Sequence, residues 1–219
     1  MIGQARLKGR KIAVLVENMF IPGEIDAYRQ GFSDRGAEVH LMSNLWGQEK
    51  LTFVSTVDQV EVNLEETRKR LQLLDVSIDF QTVNVHDYAA VIMAASYASV
   101  RLRYFEPPRG VPIGPEMTRT APAVKFFAEA MRDPRIVKGA LCHALWLLTP
   151  TPEHLAGRRV ICNEVVLADV VNAGAIYTPS FDDVVVDQDL VTGRTWHQVC
   201  RFIEAISEQI CSGWAASSL

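Results

Sequence analysis

Residues 11–16, KIAVLV, form an unbroken apolar run rich in β-branched side chains. A strand with one wet face alternates apolar and polar residues. An unbroken run suits a strand covered on both faces, as in a parallel sheet flanked by helices. Pro22 and Gly23 are expected to break the chain after this strand. From Glu24 the pattern turns helical, with Ile25, Tyr28 and Phe32 on one face and Gly36 placed to end the helix. Residues 37–42, AEVHLM, read as a second strand and complete a βαβ unit of about thirty residues.

The same alternation of elements continues. Residues 89–94 and 136–141 read as further buried strands and 159–162 as another. Residues 184–186 and 190–192 read as a closing hairpin around Asp187-Gln188-Asp189. Thr120 is expected to cap a helix that carries Pro122 in its first turn and Val124, Phe127 and Met131 on its apolar face. Residues 165–172 read as a helix ended by Gly174. Residues 195–211 read as a last helix, with Val199, Phe202, Ile203, Ile206 and Ile210 on one side. Between these, 51–55 and 59–63 suit a hairpin, 64–74 a helix and 76–85 a strand. Residues 101–120 hold four prolines with Arg101, Arg103, Arg109 and Arg119, and read as a long ordered loop of the kind used as a lid or interface arm. The expected fold is α/β and doubly wound: a mostly parallel sheet in a flavodoxin-like sandwich, with helices on both faces. One domain spanning 11–219 is expected to follow an exposed tail of residues 1–10.

Hydrophobic residues make up 48% of the 219-residue chain and charged residues 22%, enough to bury a core without staples. The net charge of -4 argues against bulk electrostatic binding to nucleic acid or anionic membranes. No apolar stretch approaches the roughly 18 residues of a membrane span. The opening MIGQARLKGRK is basic but lacks the apolar core and cleavage site of a secretory leader, so a cytoplasmic location is expected. Cys142, Cys162, Cys200 and Cys211 form no CxxC pair, and free thiols in a reducing compartment are the expectation. Cys142 and His143 are too closely spaced for the usual zinc ligand pairs. No motif demands a metal or an organic cofactor.

Residues 139–146 read GALCHALW. In open α/β sheets ligands bind outside the carboxyl ends of the strands. Cys142 falls at such an end, on a turn into a short helix through Leu148 that Pro150 and Pro152 stop. This is the setting of a nucleophile elbow. The helix N-terminus is expected to lower the thiol pKa and favour thiolate. The His143 N–H can face a developing oxyanion, and its imidazole can serve as general acid or base. Taken alone, a free cysteine reads equally well as a small buried hydrophobe. Trp146, four residues on, would share the helix face of Cys142 and wall the site, although it also suits a core. Tyr97 and Tyr104 are further candidate walls. The four arginines of 101–120 suit an anionic substrate, a dimer interface or a solvated loop. Cys162, Cys200 and Cys211 read as structural.

The segment Gly139-Ala140-Leu141-Cys142-His143 resembles the Cys-His elbow of the DJ-1/PfpI family, within the class I glutamine amidotransferase-like superfamily. Residues 16–43, VENMFIPGEIDAYRQGFSDRGAEVHLMS, are similar to that family's first strand, acidic-residue helix and second strand. Residues 170–196, VVNAGAIYTPSFDDVVVDQDLVTGRTW, are similar to its C-terminal region, where an N-A-G turn precedes a hairpin. The resemblance implies that Glu24 hydrogen-bonds the nucleophile, as a carboxyl kept protonated by burial beside a thiolate. The other reading of Glu24 is a charge complementing a helix dipole. Where the family usually has Gly-Gly after the strand at 89–93, this chain has Ala94-Ala95 and then Ser96. Ala95 is therefore the expected oxyanion donor, with Ala94 beside it. Ala144 stands where the elbow often has glycine, and 45–85 and 101–120 are longer than in compact members. No residue orienting His143 can be assigned; in the family it can come from a neighbouring subunit. His197 lies where glutamine amidotransferases place a triad histidine, but TWHQV lacks their following proline and glutamate. The implied function is Cys-dependent chemistry on a small carbonyl or aldehyde, of glyoxalase or deglycase type. Isonitrile hydration and peptidase activity are the alternatives within enzymes. A redox-sensing or chaperone-type stress protein with an oxidisable Cys142 is the alternative outside them. The implied partners are a small-molecule substrate and further copies of the chain, as a homodimer or higher homo-oligomer.

Overall fold

The computed structural model describes residues 6–56 and 71–213. In chain order the strands are β1 (Lys11–Leu15), β2 (Glu38–Ser43), β3 (Leu51–Val54), β4 (Leu73–Val76), β5 (Ile78–Asp79), β6 (Ala90–Met93), β7 (Val137–Leu141), β8 (Arg159–Val160), β9 (Ile176–Tyr177), β10 (Val184–Asp187) and β11 (Leu190–Gly193). The α-helices are α1 (Pro22–Ser33), α2 (Ala98–Arg101), α3 (Pro122–Arg132), α4 (Leu167–Asn172) and α5 (Val199–Ser212). Seven strands form one sheet in the order β10-β11-β7-β6-β1-β2-β5. Every pairing in it is parallel except the β10–β11 hairpin. This is the doubly wound, mostly parallel α/β sheet expected from the apolar runs.

The unbroken run in β1 is explained by its surroundings. Ile12 and Val14 point into a core shared with Ile25, Tyr28 and Phe32 of α1 and with Phe202, Ile203 and Ile206 of α5. Ala13 and Leu15 point the other way, into a core shared with Val124, Phe127 and Met131 of α3 and with Leu145, Leu148 and Val170. Both faces of the sheet are covered, so polar alternation would bury polar groups without partners. Truncating a wholly buried ring such as Phe127 to alanine costs about 3–5 kcal/mol by loss of transfer energy and the cavity left behind. At Gly139 in β7 a methyl group would lie 2.8 Å from both Phe202 and Ile206, so the glycine lets α5 press directly on the strand that leads to Cys142.

Lys138, one residue earlier in β7, is wholly buried. Its ammonium donates to the carbonyls of Asp133 and Ile136, both at 2.9 Å, and to the carboxylate of Asp189. Arg158 joins Asp189 at 2.7 Å and Asp187 at 2.8 Å, and Arg159 reaches Asp187 at 3.3 Å. This ionic network sits at the start of β7 and β11, the opposite end from Cys142.

Several local expectations are corrected. Pro22 does not break the chain; it opens α1, where its missing N–H costs nothing. Thr120 does not cap α3. It closes a 3₁₀ turn over Pro115–Thr120, donating to the Met117 carbonyl at 2.7 Å, and Ala121 precedes the helix. Residues 51–54 do pair as a strand, but with β4. Residues 59–63 lie outside the described residues, as does 64–70 of the expected helix, whose end at 73–74 is strand. The expected strand at 76–85 is broken into β4, β5 and two 3₁₀ turns. The side chains of Asp79 and Asn84 cap those turns and draw the backbone out of a ladder. The strand at 159–162 is reduced to β8, paired with β9 in a separate small sheet. Within the expected exposed tail, Leu7 is buried, with its N–H donating to Arg35 at 2.8 Å. Among the described residues no helix is long and apolar enough to cross a membrane.

Candidate active site

β7 ends at Leu141, and the Cys142 N–H still donates to the Gly193 carbonyl at 2.8 Å, one rung past the strand. The chain then turns sharply, because Cys142 takes φ 58° before a 3₁₀ turn over Ala144–Leu148. A non-glycine residue in this left-handed region costs on the order of 1–3 kcal/mol and persists only where its surroundings hold it. Ser96, just beyond β6, does the same at φ 61°. The Ser99 hydroxyl ties these two turns together, bridging the carbonyls of Ser96 and His143 at 3.1 Å each.

Glu24 lies in the first turn of α1 and is wholly buried against this point. Its Oε1 accepts from the Tyr28 hydroxyl at 2.8 Å. The Ala95 N–H donates to both carboxylate oxygens, at 2.9 and 3.0 Å. Burial pushes the Glu24 carboxyl up to about 7, the two hydrogen bonds pulling against it. Burial, and after it the Glu24 charge, pushes the Cys142 thiol up to about 11, while the backbone N–H groups of His143 and Ser96 oppose the rise. Burial also holds the His143 imidazole below its ordinary value, offset in part by the Asn163 side chain and the Ser96 backbone. His143 Nδ1 is buried with no hydrogen-bond partner among the described residues.

The structure therefore brings Cys142, His143 and Glu24 together, but the expected hydrogen bond between Glu24 and the thiol is not made among the described residues: the carboxylate accepts from Tyr28 and Ala95 instead. The thiol is not lowered by a helix N-terminus. A single five-residue 3₁₀ turn follows it, and desolvation wins. Of the predicted oxyanion donors, the two alanines are not free: the Ala94 N–H donates to the Leu15 carbonyl at 2.9 Å and the Ala95 N–H is taken by Glu24. The donors that face the sulfur are those of His143 and Ser96. Trp146 does not share the face of Cys142. Three residues per 3₁₀ turn set it over His143, the rings 5.5 Å apart and 30° from parallel. Its Nε1 donates to Asp169 at 2.6 Å. Tyr97 completes the cluster, 5.4 Å from His143 and 6.2 Å from Trp146, whereas Tyr104 packs on Trp46 instead.

Sequence reasoning missed Tyr28, Ser96, Ser99 and Asn163 as parts of this site. Tyr28 alone was signalled, by its i, i+4 spacing from Glu24. His197 is exposed, its ring 4.6 Å from that of Trp196. Cys162 is buried, which pushes its thiol up to about 12, while Cys200 and Cys211 are exposed. Among the described residues no group of three or more His, Cys, Asp or Glu side chains is placed to hold a metal ion.

Comparison with known proteins bears on this arrangement. A family model described as the DJ-1/PfpI family matches residues 110–209, the segment that contains the elbow and the closing hairpin. The family it matches is DJ-1/PfpI. Solved structures extend the DJ-1/PfpI likeness in fold over nearly the whole chain. A two-domain Anabaena variabilis protein containing DJ-1/ThiJ/PfpI-like and ferritin-like domains superposes with a TM-score of 0.71 at 22% identity. That match covers 92% of this chain, which spans only 50% of the Anabaena protein. DJ-1 of Schizosaccharomyces pombe superposes with a TM-score of 0.64 at 12% identity, covering 95% of this chain and 99% of its own. Drosophila melanogaster DJ-1beta gives 0.65 at 14%, with 95% of each chain covered. No curated protein matches in sequence.

Proposed function

We propose that this chain is a cysteine-dependent enzyme acting on small carbonyl compounds, aldehydes and 2-oxoaldehydes first, with Cys142 as nucleophile. The observation that carries the reading is the strained Cys142 set beside a wholly buried carboxyl that titrates near neutrality. The resting thiol is neutral. A carbonyl carbon that reaches it forms a C–S bond while the sulfur's proton passes to the Glu24 carboxylate, a base whose pKa of about 7 suits the task. The new oxyanion lies beside the N–H groups of His143 and Ser96. With a 2-oxoaldehyde, the thiohemiacetal carbon then gives up its proton and the neighbouring carbonyl carbon gains one. Hydrolysis of the resulting thioester releases a 2-hydroxy acid with net uptake of one water. Neutral His143, Glu24 and the thiol are the groups that exchange these protons. The raised thiol pKa counts against a peroxide-sensing role, which favours a large thiolate fraction.

The test is methylglyoxal consumption alongside site-resolved iodoacetamide labelling, on either side of the Glu24 pKa of about 7. Wild-type turnover is expected to rise through that pH as Glu24 loses its proton. Cys142→Ser should abolish turnover, and Glu24→Gln should lower it by about 10²–10⁴-fold and flatten the profile. Turnover that survives Cys142→Ser, or a Cys142 no more reactive than Cys162, overturns the reading.

A further inference from the structure

Trp146 has a second neighbour besides His143. Beyond its ring lies an open cleft of about 530 Å³, lined by Arg103, Thr149, Pro152 and Asp169 among others. Arg103 is half-buried, and no ion pair or hydrogen bond engages its guanidinium among the described residues. Other arginines are committed: Arg119 to Glu153, Arg158 to Asp187 and Asp189, Arg194 to Glu164 and Asp183, whereas Arg101, which shares the segment, is exposed to solvent. Asp169 faces the same cleft and its charge acts on Arg103, but one of its oxygens accepts from the Trp146 indole and it makes no hydrogen bond or ion pair with the guanidinium among the described residues. A partly desolvated guanidinium whose donors are unmet, with Asp169 near it but beyond ion-pair distance, is a site that an incoming carboxylate can complete with two parallel hydrogen bonds. The Asp169 charge argues for a single negative charge there, since a dianion would be repelled.

We propose that this cleft is the tail subsite of the active site, and that Arg103 binds the carboxylate of aldehydes or 2-oxoaldehydes that carry one a few carbons from the reacting carbonyl. The inference rests on the carbonyl chemistry proposed for Cys142. Trp146 is the shared wall: its ring stacks on His143 and also lines the cleft, which is the route by which a short chain would connect the two sites.

The test uses the full chain and two aldehydes of similar length, succinic semialdehyde and butanal. Each is titrated as a protector of Cys142 against iodoacetamide, with labelling read at that residue by mass spectrometry. Succinic semialdehyde is expected to half-protect at a concentration about tenfold below butanal, the worth of one charge-assisted contact. Arg103→Met should erase that difference while leaving protection by butanal unchanged, and Arg103→Lys should retain part of it. Equal protection by the two aldehydes in the wild type overturns the subsite and leaves the function standing. Loss of protection by both aldehydes in Arg103→Met also overturns it, since Arg103 would then be supporting the fold. If iodoacetamide labels Cys142 but neither aldehyde protects it, the carbonyl reading itself falls and the subsite with it.

Discussion

Strand β7 carries a buried ammonium near one end and a buried thiol just past the other, and the two are surrounded in opposite ways. Every donor of Lys138 is met: two carbonyls and the Asp189 carboxylate, itself shared with Arg158. At the Cys142 end, two non-glycine residues sit in left-handed backbone, and among the described residues Glu24 is buried without a cation and a His143 nitrogen has no partner. Dissatisfaction of that kind survives only where the rest of the molecule is over-determined. The difference teaches where to look for chemistry in such a fold. Charged groups at the base of the sheet are neutralised by neighbours, whereas those at the carboxyl end are left with protons to exchange.

The largest effect that would break this comparison lies at the base. Lys138→Met should cost about 3–5 kcal/mol in urea unfolding, because it strands Asp189 in a buried site with Arg158 alone. A neutral result would mean that Arg158 suffices and the base is not over-determined. Next comes Glu24→Gln, which should stabilise the fold while removing activity. The folded Glu24 pKa of about 7 lies above its ordinary 4.5, so the folded state holds the proton longer. That stability is fully present below the unfolded value and is lost as pH rises through 7, a loss of about 3 kcal/mol at most. The amide escapes it, so thermal melts should show Glu24→Gln more stable than wild type above pH 7, with the gap closing in acid. Ser96→Gly should gain about 1 kcal/mol by relieving the left-handed turn, read in the same melts. The smallest effect sharpens the electrostatic side. Tyr28→Phe removes a donor to the Glu24 carboxylate, so its pKa should rise further and the pH midpoint of Cys142 alkylation should move up with it.

The sheet and its covering helices were legible because periodicity reports burial directly: the runs at β1 and β6 are unbroken, and Phe202, Ile203 and Ile206 repeat along α5. Cys142, His143 and Glu24 were legible as motifs. Their protonation was not, because desolvation belongs to the assembled site, and a turn predicted to lower the thiol pKa is buried instead. The role given to Ala95 failed because its N–H is claimed by a carboxylate 71 residues away in the chain. Lys138 passed for part of an apolar strand, since its counter-ion lies 51 residues downstream. Trp146 was set on the wrong neighbour by assuming 3.6 residues per turn where the chain takes three.

The rung between the Cys142 N–H and the Gly193 carbonyl has a consequence for the chain's own synthesis. Residues emerge from the ribosome in order, so Cys142 is released well before β11 exists to hold it. Until the hairpin of β10 and β11 docks, the molecule carries an ordinary flexible thiol with no fixed turn behind it. The proposed nucleophile thus gains its shape among the last events of folding, and a chain cut short before residue 190 would carry the cysteine without the tether that aims it.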